Sequence, residues 1–340
     1  MILLTGVARR MARGVWMFVL GATVCGGCAP SWPSLLSTPL LAERPRYETA
    51  CGWGRTGDCV ALGDCHARAG GGPILTGEAV KHYERACDLG DVRGCTELAL
   101  ILAERKEDPL GPPRAVELLH EACDLGDAKA CVSYGVILDV GALVDPDVSQ
   151  AFVRFRRALA LDWPACETEH DGEACVRAAY LLMEGRGVEV DQVGAVRLLE
   201  EACAYGVASA CSDAGDYYSR GIFIAKDYLH AHELHSEGMR LLESSCSRGW
   251  FRACHTLGTR YYAGEGAYAD PVRAIKFLTR ACAARELQAC VDLGDVFAVG
   301  EERPRDAGEA ERFFRLACDT GHAEGCHALE RFRARQADRD

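Results

Sequence analysis

Ten residues constrain this chain more than any others: Ala202-Cys203-Ala204-Tyr205-Gly206-Val207-Ala208-Ser209-Ala210-Cys211. They read as a cysteine, a glycine three residues on, and a second cysteine eight residues after the first. The same skeleton recurs as Cys51, Gly54 and Cys59, as Cys87, Gly90 and Cys95, and as Cys123, Gly126 and Cys131. It recurs again as Cys246, Gly249 and Cys254, and as Cys318, Gly321 and Cys326. The pair Cys282 and Cys290 keeps the spacing with Arg285 in the glycine place. The pair Cys166 and Cys175 is one residue longer and has Glu169 there. First cysteines fall 36 residues apart from 51 to 87 to 123, and again from 246 to 282 to 318. A fixed period of this length is the mark of a repeat solenoid, in which each unit buries its apolar face against its neighbours.

The residues before each first cysteine carry helical spacing. Ala195, Leu198, Leu199 and Ala202 recur at steps of three and four, with Arg197, Glu200 and Glu201 on the other side. An alanine eight residues before the cysteine (Ala79, Ala115, Ala195, Ala274, Ala310) implies a close helix–helix approach. Asp191, Asp270 and Asp306 stand where an N-cap belongs. The glycine after the first cysteine stops the helix, and a second helix starts near the second cysteine. The two cysteines therefore flank a tight turn between antiparallel helices, which brings their Cβ atoms within disulfide range. A bridge closing so short a loop contributes about 2–3 kcal/mol on the chain-entropy account. The expected fold is an all-α, α/α solenoid superhelix of about seven disulfide-stapled helix pairs.

Nineteen cysteines in 340 residues point to an oxidising compartment. The N-terminus agrees: Arg9, Arg10 and Arg13 precede the apolar run Gly14–Val24, too short to span a bilayer but suited to a signal peptide. The run ends in Cys25-Gly26-Gly27-Cys28-Ala29, which resembles a bacterial lipobox with Cys28 as the lipidated residue. Cys25 departs from the leucine usual there; ordinary secretory cleavage and a redox pair are the other readings. Eight pairs use sixteen cysteines, Cys25 leaves with the leader and Cys28 takes lipid, so Cys65 is left over. It is either a buried free thiol or a competitor of Cys51 for Cys59.

The expected organisation is a signal peptide over 1–27, a lipid-attached tether over 28–48, the repeat solenoid over 49–327, and a capping helix and tail over 328–340. The interval from second to next first cysteine is 28 residues, except 35 at 131→166 and 211→246. Seven extra residues are two helical turns, which keep the same face inward. At 158–166 they read as an elaborated turn, with Ala158-Leu159 standing in the Ala-Cys place. Over 227–245 they read as one lengthened helix. Removing residues 1–27 leaves 35 basic against 50 acidic residues. That balance speaks against nucleic acid as a partner.

The run Leu257-Gly258-Thr259-Arg260-Tyr261-Tyr262-Ala263-Gly264-Glu265-Gly266, followed by Asp270, Ala274 and Leu278, resembles the Sel-one-like repeat, a relative of the tetratricopeptide repeat. With cysteines eight apart, residues 50–330 resemble the secreted cysteine-rich Sel-one-like proteins of bacteria. The resemblance implies a right-handed superhelix with a concave, partner-binding face. The departures are Leu159 in a cysteine place, Arg285 and Glu169 in glycine places, and Gly238 in place of the helix alanine. Some members of that family carry penicillin-binding or β-lactamase labels. Yet this chain has no Ser-x-x-Lys box, no Ser-Asp-Asn, no Lys-Thr-Gly, no nucleophile elbow and no P-loop.

His230, His232 and His235 do not have the spacing of a zinc protease and read as a solvated helix face. Tyr217, Tyr218, Tyr261 and Tyr262 share a repeat register with leucines and read as core. No catalytic residue, metal or cofactor is expected. The function expected is that of an exported scaffold binding a protein or peptide along a groove, as a monomer held to the membrane by a lipid anchor. The location is the cell envelope, with the outer membrane favoured by Ala29 and secretion as the alternative.

Non-reducing peptide mapping should find every one of the eight links inside a single turn, from Cys51–Cys59 to Cys318–Cys326. Links joining different turns would refute the stapled-repeat reading.

Overall fold

The computed structural model describes residues 44–68, 72–104, 110–299 and 306–337. Cys28, the leader and most of the expected tether lie outside them. Among the described residues the chain is sixteen helices and no strands. They are α1 Arg44–Gly52, α2 Thr56–Arg68, α3 Gly72–Asp88, α4 Val92–Glu104, α5 Gly111–Asp124, α6 Ala128–Val140, α7 Val148–Glu169 and α8 Gly172–Glu184. They continue as α9 Gln192–Ala204, α10 Ala208–Arg220, α11 Tyr228–Ser247, α12 Phe251–Ala263, α13 Pro271–Ala283, α14 Leu287–Val299, α15 Ala307–Asp319 and α16 Ala323–Ala337. Each helix packs on the next in sequence, as in a solenoid.

The cysteine turn has one construction throughout. At α9–α10, Gly206 N–H donates to Cys203 O (2.9 Å) and Val207 N–H donates to Ala202 O (3.0 Å), the Schellman pattern. Val207 is at once the residue that ends this motif and the N-cap of α10. The next helix thus begins with no linker, and Cys203 in one last turn faces Cys211 in the next first turn.

All eight expected pairs are joined as disulfides, each within its own turn. In the first half of the array Cys51 is bonded to Cys59, Cys87 to Cys95, Cys123 to Cys131, and Cys166 to Cys175. In the second half Cys203 is bonded to Cys211, Cys246 to Cys254, Cys282 to Cys290, and Cys318 to Cys326. Their Cα–Cα separations run from 4.4 to 4.8 Å, inside the range a disulfide spans. The second cysteines Cys59, Cys131, Cys175, Cys211, Cys254 and Cys290 are fully buried, so each bridge lies in the core and not on the surface of its turn. The Cys51–Cys59 bond removes the alternative in which Cys65 takes Cys59.

Arg285 holds the left-handed conformation that glycine holds in the other eight-residue turns (φ 69°). In the nine-residue turn that conformation falls on His170 (φ 57°), one place after Glu169, because α7 runs one residue further before stopping. A clasp joins neighbouring turns: the guanidinium two residues before a first cysteine donates to a terminal carbonyl of the preceding repeat. Arg85 reaches Gly52 O (3.0 Å) and Arg280 reaches Ser247 O (3.3 Å). Arg157, two before Leu159, reaches Asp124 O (2.8 Å). Each satisfies a carbonyl at a helix C-terminus, where a cation is favoured.

The two longer helices share one plan. In α7 the chain does not turn at Ala158-Leu159; the helix continues through Pro164 to Glu169, so the elaborated turn is replaced by two added helical turns. Asp162, fully buried in the added part, accepts from Arg177 Nε (3.0 Å) and Nη2 (2.6 Å) of α8. Burial raises the Asp162 carboxyl to about 6, against the pull of Arg177. In α11 the added turns also come late. Ala231, four residues after its N-cap Asp227, is therefore the equivalent of the buried alanines Ala195, Ala274 and Ala310, and Gly238 is not. The expected boundary at 327/328 falls inside α16, and residues 44–48, expected in the tether, belong to α1.

Within each repeat a size match sets how closely the two helices cross. A Cβ placed on Gly63 would lie 2.4 Å from Tyr83, on Gly135 2.6 Å from Phe155, on Gly215 2.8 Å from His235, on Gly258 2.7 Å from Leu278, and on Gly294 2.6 Å from Phe314. In each case the glycine is four residues after a second cysteine, and its partner follows 20 residues later. The two repeats with alanine at this place, Ala99 and Ala179, have leucine 20 residues on, at Leu119 and Leu199, all four fully buried. A small residue opposite a large one keeps the summed volume close to constant.

Gly135→Ala should therefore cost about 1–3 kcal/mol by overpacking against Phe155. Adding Phe155→Leu should recover part of that loss. Urea midpoints of the two single variants and the double variant test the coupling; simple additivity would refute it.

Candidate functional site

The helices that begin at second cysteines form one row. They touch across repeats at α2–α4, α4–α6, α6–α8 and α14–α16, and the alternate helices do so at α9–α11. Along this row the contacts between repeats are polar. Lys129 donates to Glu97 (2.5 Å), Tyr180 to Asp213 (2.8 Å), and Tyr217 to the sulfur of Met183 (2.8 Å). His255 pairs with Asp292 at 2.5 Å, and Gln288 donates to the same carboxylate (3.0 Å). Arg260 hydrogen-bonds Ser212 across two helices.

Three successive members carry one register. Residues two and five after the second cysteine are Asp213 and Asp216 on α10, Thr256 and Thr259 on α12, and Asp292 and Asp295 on α14. Burial raises the Asp213 carboxyl against the hydroxyl that Tyr180 donates to it. Burial likewise raises the phenols of Tyr180 and Tyr217. These phenols hold their protons at neutral pH and act as fixed hydrogen-bond partners. Ser212 also donates to Ala208 O (3.1 Å), so its hydroxyl is engaged twice and no base is bonded to it. The arrangement positions polar groups on a rigid ladder; it does not assemble a nucleophile with a base.

The expected histidine face is dispersed. His230 pairs with Glu200 of α9 and sits edge-on to Tyr218 (4.6 Å). His235 packs on Gly215 and lies 3.5 Å from Asp216; burial lowers its pKa. Only His232 of the three is exposed. Two of the three are thus contacts between helices rather than a solvated face. Of the four tyrosines, Tyr261 is core, stacked on Phe277 (5.7 Å, 7°), whereas Tyr217, Tyr218 and Tyr262 are half-buried on the surface. Among the described residues, one group has metal-ligand proximity, Cys166, Cys175 and Glu201. Its sulfurs are oxidised to a disulfide, so no thiolate is there to ligate. The polar ladder itself is absent from the sequence reading. Its register was visible two and five places after each second cysteine, but which residue meets which depends on helix stagger.

The Sel1 repeat family model matches seven segments: 59–91, 97–127, 128–162, 172–206, 208–249, 252–285 and 287–322. The chain belongs to the Sel1 repeat family. No curated protein matches it. Among solved structures it resembles a Sel1 repeat protein from Oxalobacter formigenes, with 21% identity over 78% of this chain and 99% of that one, TM-score 0.46. It also resembles yeast Tom70, with 13% identity over 99% of this chain and 76% of that one, TM-score 0.52. The second likeness supports the helical-repeat solenoid as a fold. The chain is therefore a helical-repeat scaffold of the type that mediates protein–protein contacts.

The His230–Glu200 pair should leave a pH signature. Its hydrogen bond with Glu200 raises the His230 pKa. The stabilisation is then complete below the unfolded value near about pH 6.5 and is lost as pH rises through the higher folded value. The pair is part-exposed and screened, so the effect is about 0.5 kcal/mol. His230→Gln should flatten the difference between urea midpoints measured at about pH 5.5 and 8.5.

Proposed function

We propose that this protein is an exported, envelope-attached scaffold that binds an extended protein or peptide segment along the row of second-cysteine helices. The single observation that carries the reading is the polar ladder on those helices. Asp216 and Asp295 stand exposed there in the same register, beside half-buried groups whose orientation is fixed by neighbouring repeats. Rigid polar groups on a preformed surface bind at low ordering cost. Eight disulfides fit an oxidising compartment, extracellular or periplasmic. Among the described residues no helix is long and apolar enough to cross a membrane. Attachment would fall to lipid on Cys28, with secretion as the alternative. The lactam-hydrolase reading gains no support: the family is generally a non-enzymatic scaffold, and the matches are to its repeats.

Two experiments separate the parts of this proposal. Capture from a cell-envelope extract should recover a discrete partner, and Asp216→Arg with Asp295→Arg should weaken capture at least tenfold with helical content retained. Undiminished capture would place the binding surface elsewhere. Cys28→Ala should move the protein from the detergent phase to the aqueous phase. A wild-type protein already in the aqueous phase would refute the anchor and leave the scaffold reading intact.

A further inference from the structure

The loops that join each second-cysteine helix to the next carry an apolar patch that the groove reading does not use. It is densest where α11 and α13 begin. Tyr228 (67% exposed) and Leu229 (72%) open α11; Tyr268 (96%) and Val272 (71%) flank the start of α13. Ile222 and Phe223 lie exposed in the loop before α11. The two loops belong to successive repeats, and Gly266 of the second packs on α11 at His235, so the side chains share one edge.

Phe223 adds an independent mark. It holds φ 67°, the left-handed conformation that Gly187 and Gly266 hold at the same place in their loops. A bulky residue there costs on the order of 1–2 kcal/mol relative to glycine. The chain therefore keeps an exposed aromatic ring at a position where glycine folds more easily. The ring lies 5.6 Å from Tyr217, which aims it along the edge.

We infer that this edge is a twofold interface between two copies of the chain. The six side chains expose on the order of 800 Å² of apolar surface, about one partner's share of a standard interface. That exceeds the patch of about 300–600 Å² found on ordinary monomers. Charge selects the occupant. Asp227 and Asp270 on this edge are consumed as N-caps, accepting from Leu229 and His230 N–H and from Arg273 N–H. Lys226 lies over the Tyr228 ring (4.5 Å). These two capping carboxylates are thus not free for a cationic partner, and a single stacked lysine is no cluster of cations for an acidic one. A neutral aromatic patch meets its own copy without like-charge repulsion, as an isologous contact requires. This departs from the monomer expected from the sequence.

Sedimentation velocity on the oxidised full chain tests the inference. The wild type should pass from monomer to dimer between about 1 and 100 µM. Leu229→Glu with Tyr268→Glu should weaken dimerisation at least tenfold. Both side chains point to solvent, so the far-ultraviolet circular dichroism should not change. If that pair disturbs the fold, Leu229→Ser with Tyr268→Ser is read in the same way. A wild type that stays monomeric to about 100 µM, or a dimer that neither pair weakens, overturns the interface.

Discussion

Each repeat rests on a crossing between a residue four places after a second cysteine and a side chain 20 places later. Gly63 lies under Tyr83, Gly135 under Phe155 and Gly294 under Phe314. With no Cβ at the crossing, the two backbones approach until the aromatic ring fills the gap. Where alanine replaces glycine, leucine replaces the ring, at Ala99 with Leu119 and at Ala179 with Leu199. The rest of the unit follows from this contact, because helix separation decides which side chains become core. The buried alanine four residues after an N-cap (Ala151, Ala195, Ala231, Ala274, Ala310) gives a second close approach one turn away.

The crossing holds a repeat together; the cysteine turn holds one repeat to the next. Its Schellman end and immediate N-cap leave no slack in the backbone, and the disulfide closes what remains. The arginine clasp then ties the same point to the preceding turn. Since each of these links is local, stability is close to a sum over neighbours. Three buried clusters follow one another along the chain, and Leu159 packs against both the first and the third. That joint is also where α7 gains two turns. Asp162 and Arg177 there place a buried ion pair where other repeats place apolar side chains, and removing either partner would leave the other charge uncompensated.

The same regularity shapes the surfaces. A register repeated along the row of second-cysteine helices places polar groups at fixed steps, which suits an extended ligand. A register repeated along the loop edge places Tyr228 and Val272 in neighbouring repeats, which suits a broad, flat contact. A scaffold with two such surfaces could hold a partner on one and its own copy on the other.

The period, the pairing of sixteen cysteines, the N-caps at Asp191, Asp270 and Asp306 and the burial of the alanines were all legible in the chain. Each is a local matter of helix propensity, left-handed turns or an eight-residue spacing. The glycine–aromatic match was also written there, as a 20-residue interval, but it becomes a signal only once two helices are known to cross. Tertiary structure alone decided the rest. Helix α7 continues through Pro164 because Arg177, on another helix, holds Asp162. Left-handed geometry fell on His170 and not Glu169 because the helix ran on by one residue. His230 and His235 became contacts between helices because the stagger of neighbouring repeats brought Glu200 and Asp216 to them. These outcomes depend on distances between segments 15 to 30 residues apart, and helical periodicity fixes which face a side chain occupies, not what it meets there.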